Sequence, residues 1–337
     1  MKSPLALAFD LGGSHTDCAL VNAERVLATR TLPCDARAGL APLLPDFADA
    51  ARTVCAEAGV NFKELAGCVM GLPCVVEPGT NRVRKTFGKY DDTATLDLAG
   101  WCRATLDGLP LATENDARLA LLGEWSCGAA RGFDDAVMLT LGTGIGGAAM
   151  MGGRLVTSKH ALAGANGGHF TVNMHGRRCI CGNIGCAETE AATWSLPLVI
   201  ADFAARRPEL AQTSTLLLDA TTTPDSTDVR LRKIDFRRVF AAARAGDGLA
   251  VAVRDHCVRA WAFCAVSNAQ AYDAEVIVLG GGVMQSAQDI LPPVEAHVHL
   301  HAFSPWGKIA VRAAALGNHA ALLGAVPLLR SVGIGRE

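Results

Sequence analysis

Residues 5–14 read LALAFDLGGS and residues 137–144 read VMLTLGTG, so that Leu11-Gly12-Gly13-Ser14 and Leu141-Gly142-Thr143-Gly144 stand 130 positions apart. In each stretch an apolar run predicts a strand and the glycines predict a turn. A returning strand follows, Thr16–Val21 in the first case. In the second, the turn spans Gly142–Gly147 and the strand Ala148–Met151 is closed by Gly152-Gly153. The same strand, glycine turn and returning strand at the head of each half imply an internal duplication. Further strands are expected at Arg25–Leu32, Leu65–Leu72, Leu109–Thr113 and Glu275–Leu279. Helices are expected at Leu40–Ala58, Ala94–Leu106, Ala117–Trp125, Leu249–Ala271 and Ala320–Leu329. Strands alternating with helices define an α/β protein. The apolar helix 249–271 reads either as packing between two domains or as plain core, and the polar run Gln212–Lys233 as a surface loop or insertion.

The chain has 337 residues, enough for two domains that each bury a core. Half of its residues are hydrophobic and the formal net charge is −2. That balance excludes disorder and a dedicated nucleic-acid binder, which carries a basic excess. The stretch Val137–Gly153 is too short and too rich in glycine to span a membrane. Asp10 interrupts any signal-peptide core before it forms. The expectation is a cytoplasmic two-domain globule with no membrane partner. Its 35 glycines and 12 cysteines are both in excess, and without an export signal the cysteines read as buried thiols, metal ligands or catalytic groups.

Glycine turns after strands let backbone N–H groups approach an anion, because no Cβ stands in the way. Three occur, at Asp10-Leu11-Gly12-Gly13-Ser14, at Gly142-Thr143-Gly144-Ile145-Gly146-Gly147 and at Gly280-Gly281-Gly282. Each alone is more often a structural hairpin; three together favour phosphate binding. The middle turn matches G-x-G-x-x-G, yet a dinucleotide fingerprint needs a helix after the glycines and an acid about 20 residues on. Here a strand follows, and the first acid downstream is Glu188. No glycine is followed by Lys and then Ser or Thr, which excludes a P-loop. What remains is a pair of phosphate-cradling hairpins facing each other across a cleft, with Asp10 holding Mg²⁺ through water. His169, Cys179, Cys181 and Cys186 form H-x9-C-x-C-x4-C with Gly182 and Gly185 inside it. Three thiolates and one imidazole are a closed tetrahedral set for Zn²⁺, which makes this zinc structural. The other nine cysteines read as core. Asp116, in Glu114-Asn115-Asp116 at a strand end, stands where α/β proteins place ligand chemistry, although an Asp before a helix is more often an N-cap.

These motifs together resemble the ROK family of sugar kinases, within the actin-like ATPase fold, over nearly the whole chain. Asp10-Leu11-Gly12-Gly13-Ser14 resembles the family's first phosphate motif, Leu141–Gly147 its second, and Leu279-Gly280-Gly281-Gly282 its adenosine-side loop. Gly168-His169 with the run from Cys179 to Glu188 resembles its zinc signature. The resemblance implies two duplicated α/β domains, residues 1–118 and 119–318, with the helix at 319–337 packing back on the first. It implies an ATP-dependent kinase that phosphorylates the 6-hydroxyl of a hexose or N-acetylhexosamine, with ATP and Mg²⁺. In that frame Asp116 is the general base, Asn115, Asn166, His169 and Glu188 contact the sugar, and His169 also ligates zinc. Nucleotide contacts fall to Asp10, Gly12, Gly13, Ser14, Gly142, Thr143, Gly144, Gly146, Gly281 and Gly282. A homodimer is the usual assembly of similar proteins. The sequence departs from the family at three places: Asn166 stands where a glutamate is usual, His15 where a lysine is common, and Cys74 where a glycine follows Pro73. Family repressors carry a helix-turn-helix ahead of the first motif, and only nine residues precede Asp10. A non-catalytic sugar sensor of the same fold is the alternative.

Overall fold

The computed structural model of the protein describes residues 4–218 and 234–334. The chain forms two compact units. The first comprises residues 1–133, 153–165 and 314–337; the second comprises 134–152 and 166–313.

In the first unit, β1 (Leu5–Leu11), β2 (His15–Val21), β3 (Val26–Pro33), β4 (Leu65–Leu72) and β7 (Leu111–Asn115) make one sheet in the order β3-β2-β1-β4-β7. The hairpin pairs β1 and β2 are antiparallel, while β4 and β7 run parallel to β1. A small hairpin, β5 (Val75–Glu77) with β6 (Arg82–Lys85), and the short strand β10 (Arg154–Leu155) complete the strands of this unit. Its helices are α1 (Leu44–Glu57), α2 (Leu98–Thr105) and α3 (Asp116–Cys127). Alternating burial along α1 sends Phe47, Ala51 and Val54 into a core with Leu7, Phe9, Cys18, Cys68 and Met70. The Phe9 and Phe47 rings stack with centroids 5.1 Å apart. β1 and β4 are apolar along nearly their whole length because both faces are covered.

The second unit repeats the plan. β8 (Ala136–Leu141) and β9 (Ile145–Met151) form an antiparallel hairpin, and β11 (Val276–Gly280) and β12 (Ala310–Ala313) extend it in parallel, in a five-stranded sheet ordered β10-β9-β8-β11-β12 with the two-residue β10 at its edge. This is the order β3-β2-β1-β4-β7 over again, which shows the duplication in the topology. Its helices are α4 (Ala187–Ala191), α5 (Leu196–Arg206), α6 (Pro208–Thr213), α7 (Thr215–Leu218), α8 (Phe236–Arg244), α9 (Gly248–Ala271) and α10 (Ala287–His301). Two short helices of the first unit, α11 (Ala320–Leu323) and α12 (Ala325–Ser331), end the chain. Among the described residues no helix is long and apolar enough to cross a membrane.

Several sequence expectations shift. The turn expected over 142–147 closes by Gly144, and Gly146 and Gly147 lie within β9, opposite Thr140 and Leu139. Gly147 sits where another backbone comes close: a Cβ on Gly167 would lie 3.1 Å from the Gly147 Cα. The first unit runs on to Phe133 rather than ending at 118, because α3 packs on α11 and α12 of the same unit. α9 packs on β8, α4, α5, α8 and α10, all in its own unit, so it is a core helix. Residues 212–218, read as a polar loop, end α6 and form α7; the rest of that run, from 219 to 233, lies outside the described residues.

Candidate active site

In the first unit the sheet register builds the site. Asp10 on β1 is level with Gly71 on β4, and Gly71 with Glu114 on β7. The chain leaves β7 at Asn115 and enters α3 at Asp116, so Asp10 and Asp116 meet at the carboxyl end of the parallel strands, where open α/β sheets bind ligands. Gly71 lies between them without a side chain; a Cβ there would stand 2.9 Å from Leu119 Cδ1 and 3.4 Å from Asp10 Oδ1. Asn115 is the N-cap of α3. Its Oδ1 accepts from the Ala117 and Arg118 N–H groups at 3.1 and 3.3 Å, and its Nδ2 donates to Asp116 Oδ1 at 2.9 Å and to the Cys74 carbonyl at 3.3 Å. The Ala117 N–H also donates to Asp116 Oδ1 at 2.9 Å. Burial lifts the Asp116 carboxyl above its ordinary range, and the Ala117 N–H and the Lys89 ammonium pull it partly back. Burial, with Asp116 and Asp17 adding like charge, pushes Asp10 up to about 7.

The first glycine turn is braced from beneath. The Gly12 N–H donates to the His15 carbonyl at 3.0 Å. Tyr90, fully buried, donates its hydroxyl to the Gly12 carbonyl at 2.6 Å, and Cys34 Sγ lies 3.2 Å from Tyr90 Oη. Ser14 Oγ lies 3.3 Å from His15 Nδ1.

In the second unit the turn after β8 meets the turn after β11. Gly281 has φ +88°, and a Cβ there would strike the Leu141 carbonyl oxygen, so only glycine fits. A cavity of about 330 Å³ opens beside these two turns, lined by Gly142, Thr143, Thr193, Phe236, Arg237 and Gly282 among others. Glu188, on α4, accepts the Ile145 N–H at 2.9 Å and the Trp194 indole N–H at 3.4 Å, which ties the second glycine turn to the zinc-like loop. A Cβ on Gly144 would lie 2.7 Å from the same carboxylate. Asn166 presents an exposed side chain, and its carbonyl accepts the His169 N–H at 2.9 Å.

His169, Cys179, Cys181 and Cys186 converge, with ligand atoms all within 4.8 Å of one another. Cys179 Sγ is 3.5 Å from His169 Nδ1, and Cys181 Sγ is 3.6 Å from Cys186 Sγ. Tetrahedral Zn²⁺ with ordinary bond lengths places two sulfurs about 3.8 Å apart and a sulfur and a nitrogen about 3.6 Å apart. The donor set therefore fits zinc in chemistry and in spacing.

Residues 6–332 match the ROK family. The chain belongs to that family. Among ROK relatives, a glucokinase of Halalkalibacterium halodurans is 29% identical over 324 residues, covering 94% of this chain and 92% of its own. A glucokinase of Streptomyces coelicolor is 30% identical over 333 residues, covering 97% and 98%. The crystal structure of a ROK family glucokinase from Streptomyces griseus in complex with glucose and AMPPNP superposes with a TM-score of 0.73 at 27% identity, over 97% of this chain and 99% of that one. The fold is the actin-like ATPase fold of these ROK proteins, and the chain is an ATP-dependent sugar kinase.

Sequence reasoning passed over three residues that stand beside these groups. Lys89 and Tyr90 reach the first glycine turn from a distant segment. Arg118, 1% exposed, pairs with Glu114 at 3.3 Å and donates to the Ala161 and Ala163 carbonyls at 3.0 and 2.8 Å. Only Arg118 left a local signal, its i,i+4 spacing from Glu114 across the start of a helix.

Proposed function

We propose that this kinase phosphorylates the 6-hydroxyl of a hexose or an N-acetylhexosamine, with Asp116 as general base. One observation carries the reading: Asp116 is a half-buried carboxylate at the ligand end of a parallel sheet, held in one orientation by Asn115 and the Ala117 N–H. A base whose affinity for protons is lifted by burial takes a hydroxyl proton more readily than an ordinary aspartate. The proton of the 6-hydroxyl passes to Asp116, the sugar oxygen bonds to the γ-phosphorus, and the β–γ bridging bond breaks with its electron pair left on ADP. Asn166, His169 and Glu188 are assigned to the sugar hydroxyls. Both donors and the acceptor of Asn115 are already engaged, so we assign it to orienting Asp116, and a sugar contact would exchange one of those bonds.

Gly13, Ser14, Thr143 and Gly144 are assigned to the ATP phosphates, with Gly12 closing the first turn. Gly146, just past the second turn in β9, is assigned to the nucleotide with that turn. Gly281 and Gly282, with the cavity beside them, are assigned to the adenosine. Asp10, crowded by Asp116 and Asp17, fits a water-mediated Mg²⁺ site. Magnesium there would neutralise charge on the transferring phosphate. Zinc held by His169, Cys179, Cys181 and Cys186 would cross-link the loop that orients His169. A homodimer belongs to the same reading.

A coupled ADP-release assay over hexoses, ketohexoses and amino sugars tests it. One sugar class should drive ADP release, and Asp116→Asn should lower that turnover by about 10²–10⁴-fold. Near-normal turnover by the variant would overturn the base assignment, and silence with every sugar would overturn the substrate class.

A further inference from the structure

Lys89 is exposed, yet the end of its side chain lies over the first glycine turn: a Cβ built on Gly13 would stand 3.6 Å from both its Cε and its Nζ. Its backbone is not free to wander. The next residue, Tyr90, donates its N–H to the Ala36 carbonyl at 2.6 Å and its hydroxyl to the Gly12 carbonyl at 2.6 Å. Two residues further, Asp92 accepts the Leu40 and Ala41 N–H groups at 2.7 and 2.8 Å. The segment that carries Lys89 is thus bolted to the turn that Lys89 covers. The ammonium is also close enough to favour the charged form of Asp116 and of the Cys74 thiol behind it. Among the described residues Lys89 forms no ion pair, so its charge is available to a ligand.

We propose that Lys89 is a catalytic residue of the phosphoryl transfer, its ammonium contacting the transferring phosphoryl group between the Gly12-Gly13 turn and Asp116. This rests on reading that turn as a phosphate cradle and Asp116 as the base. The geometry suits the task. In the transfer the sugar oxygen–phosphorus bond forms, the β–γ bridging bond breaks, and charge spreads over the equatorial phosphoryl oxygens. A fixed cation beside those oxygens stabilises that charge more than the charge of the ground state. Lys89 keeps its proton throughout; the hydroxyl proton goes to Asp116.

The test compares Lys89→Met, Lys89→Arg and Asp116→Asn in one ADP-release assay. Because Lys89 is exposed, its variants should melt as the parent does. Lys89→Met should lower kcat about 100-fold, the cost of removing one stabilising donor from a developing anion. KM for the sugar should stay within about threefold, and Lys89→Arg should recover most of kcat because it restores the charge. If Lys89→Met keeps kcat within twofold while Asp116→Asn is inactive, the role of Lys89 is refuted and the base stands. If both turn over normally, the underlying reading of Asp116 and the turn has failed. Equal losses in Lys89→Met and Lys89→Arg would also refute the proposal, since charge would then not be the operative property.

Discussion

Asp10 and Asp116 share one corner of the first unit, and the Asp116 charge makes Asp10 costlier to ionise. With Asp10 lifted from 3.8 to about 7, the folded protein holds a proton that the unfolded chain releases above about pH 4. Stability from this group is therefore complete below about pH 4 and is lost as pH rises through 7. In the absence of nucleotide and metal, the melting temperature should fall between pH 5 and 8. Asp10→Asn should flatten that fall and be more stable than the parent at pH 8 by about 1–3 kcal/mol. Thermal melts across the range decide it, and an unchanged slope in Asp10→Asn would show that the proton is not on this carboxyl. On the proposed reading the same strain serves function, because a site that receives the ATP phosphates and a cation is unsettled when neither is present.

The loop from His169 to Cys186 contains little regular structure to hold it. Its internal ties are two isolated bridges, Thr171 with Cys186 and Arg178 with Ile184, and turn bonds such as the Cys179 N–H to the Asn183 carbonyl at 2.7 Å. On the zinc reading, such a segment would draw its order from the metal. Elemental analysis should find about one zinc per chain. Strong chelation should lower the melting temperature, and Cys181→Ser should lower both zinc content and melting temperature. A metal-free preparation that melts like the untreated protein would remove the zinc reading. The convergence of these four side chains was legible from sequence because all of them fall within one short run. Asp10 and the glycine turns were legible for the same reason, as strand and turn chemistry are local. Lys89 was not, since its meaning arises when loop packing brings it over Gly13. The placement of Gly147 inside β9 was hidden too, because its small size answers to the close approach of the Gly167 backbone, a tertiary cause with the sequence signature of a turn.

For the whole molecule, the near-neutral charge and the two repeated sheets mean that phosphate recognition is assigned to turns rather than to a basic surface. The chain closes by returning to the unit in which it began. Glu124, fully buried on α3, accepts the Ala129 N–H at 2.7 Å and the N–H groups of Ala315 and Leu316 at 3.0 and 2.9 Å, which fixes the returning strand of chain. Beyond it, α11 lies against α3 with the two backbones nearly touching. A Cβ on Gly123 would run into the Ala320 carbonyl, and one on Gly324 into the Leu119 carbonyl. Neither obstacle is a flexible side chain, so no rotamer change relieves it. Gly324→Val must therefore push α11 and α12 away from α3, the helix that carries Asp116. Overpacking of this kind costs about 3 kcal/mol or more, which in a unit of this size is a fall in melting temperature of about 6–12 °C. Differential scanning calorimetry should show that fall, with ADP release reduced alongside it and any zinc content unchanged, since His169, Cys179, Cys181 and Cys186 belong to the other unit. A Gly324→Val protein that melts with the parent would mean that the C-terminal return is not packed as tightly as its glycines require.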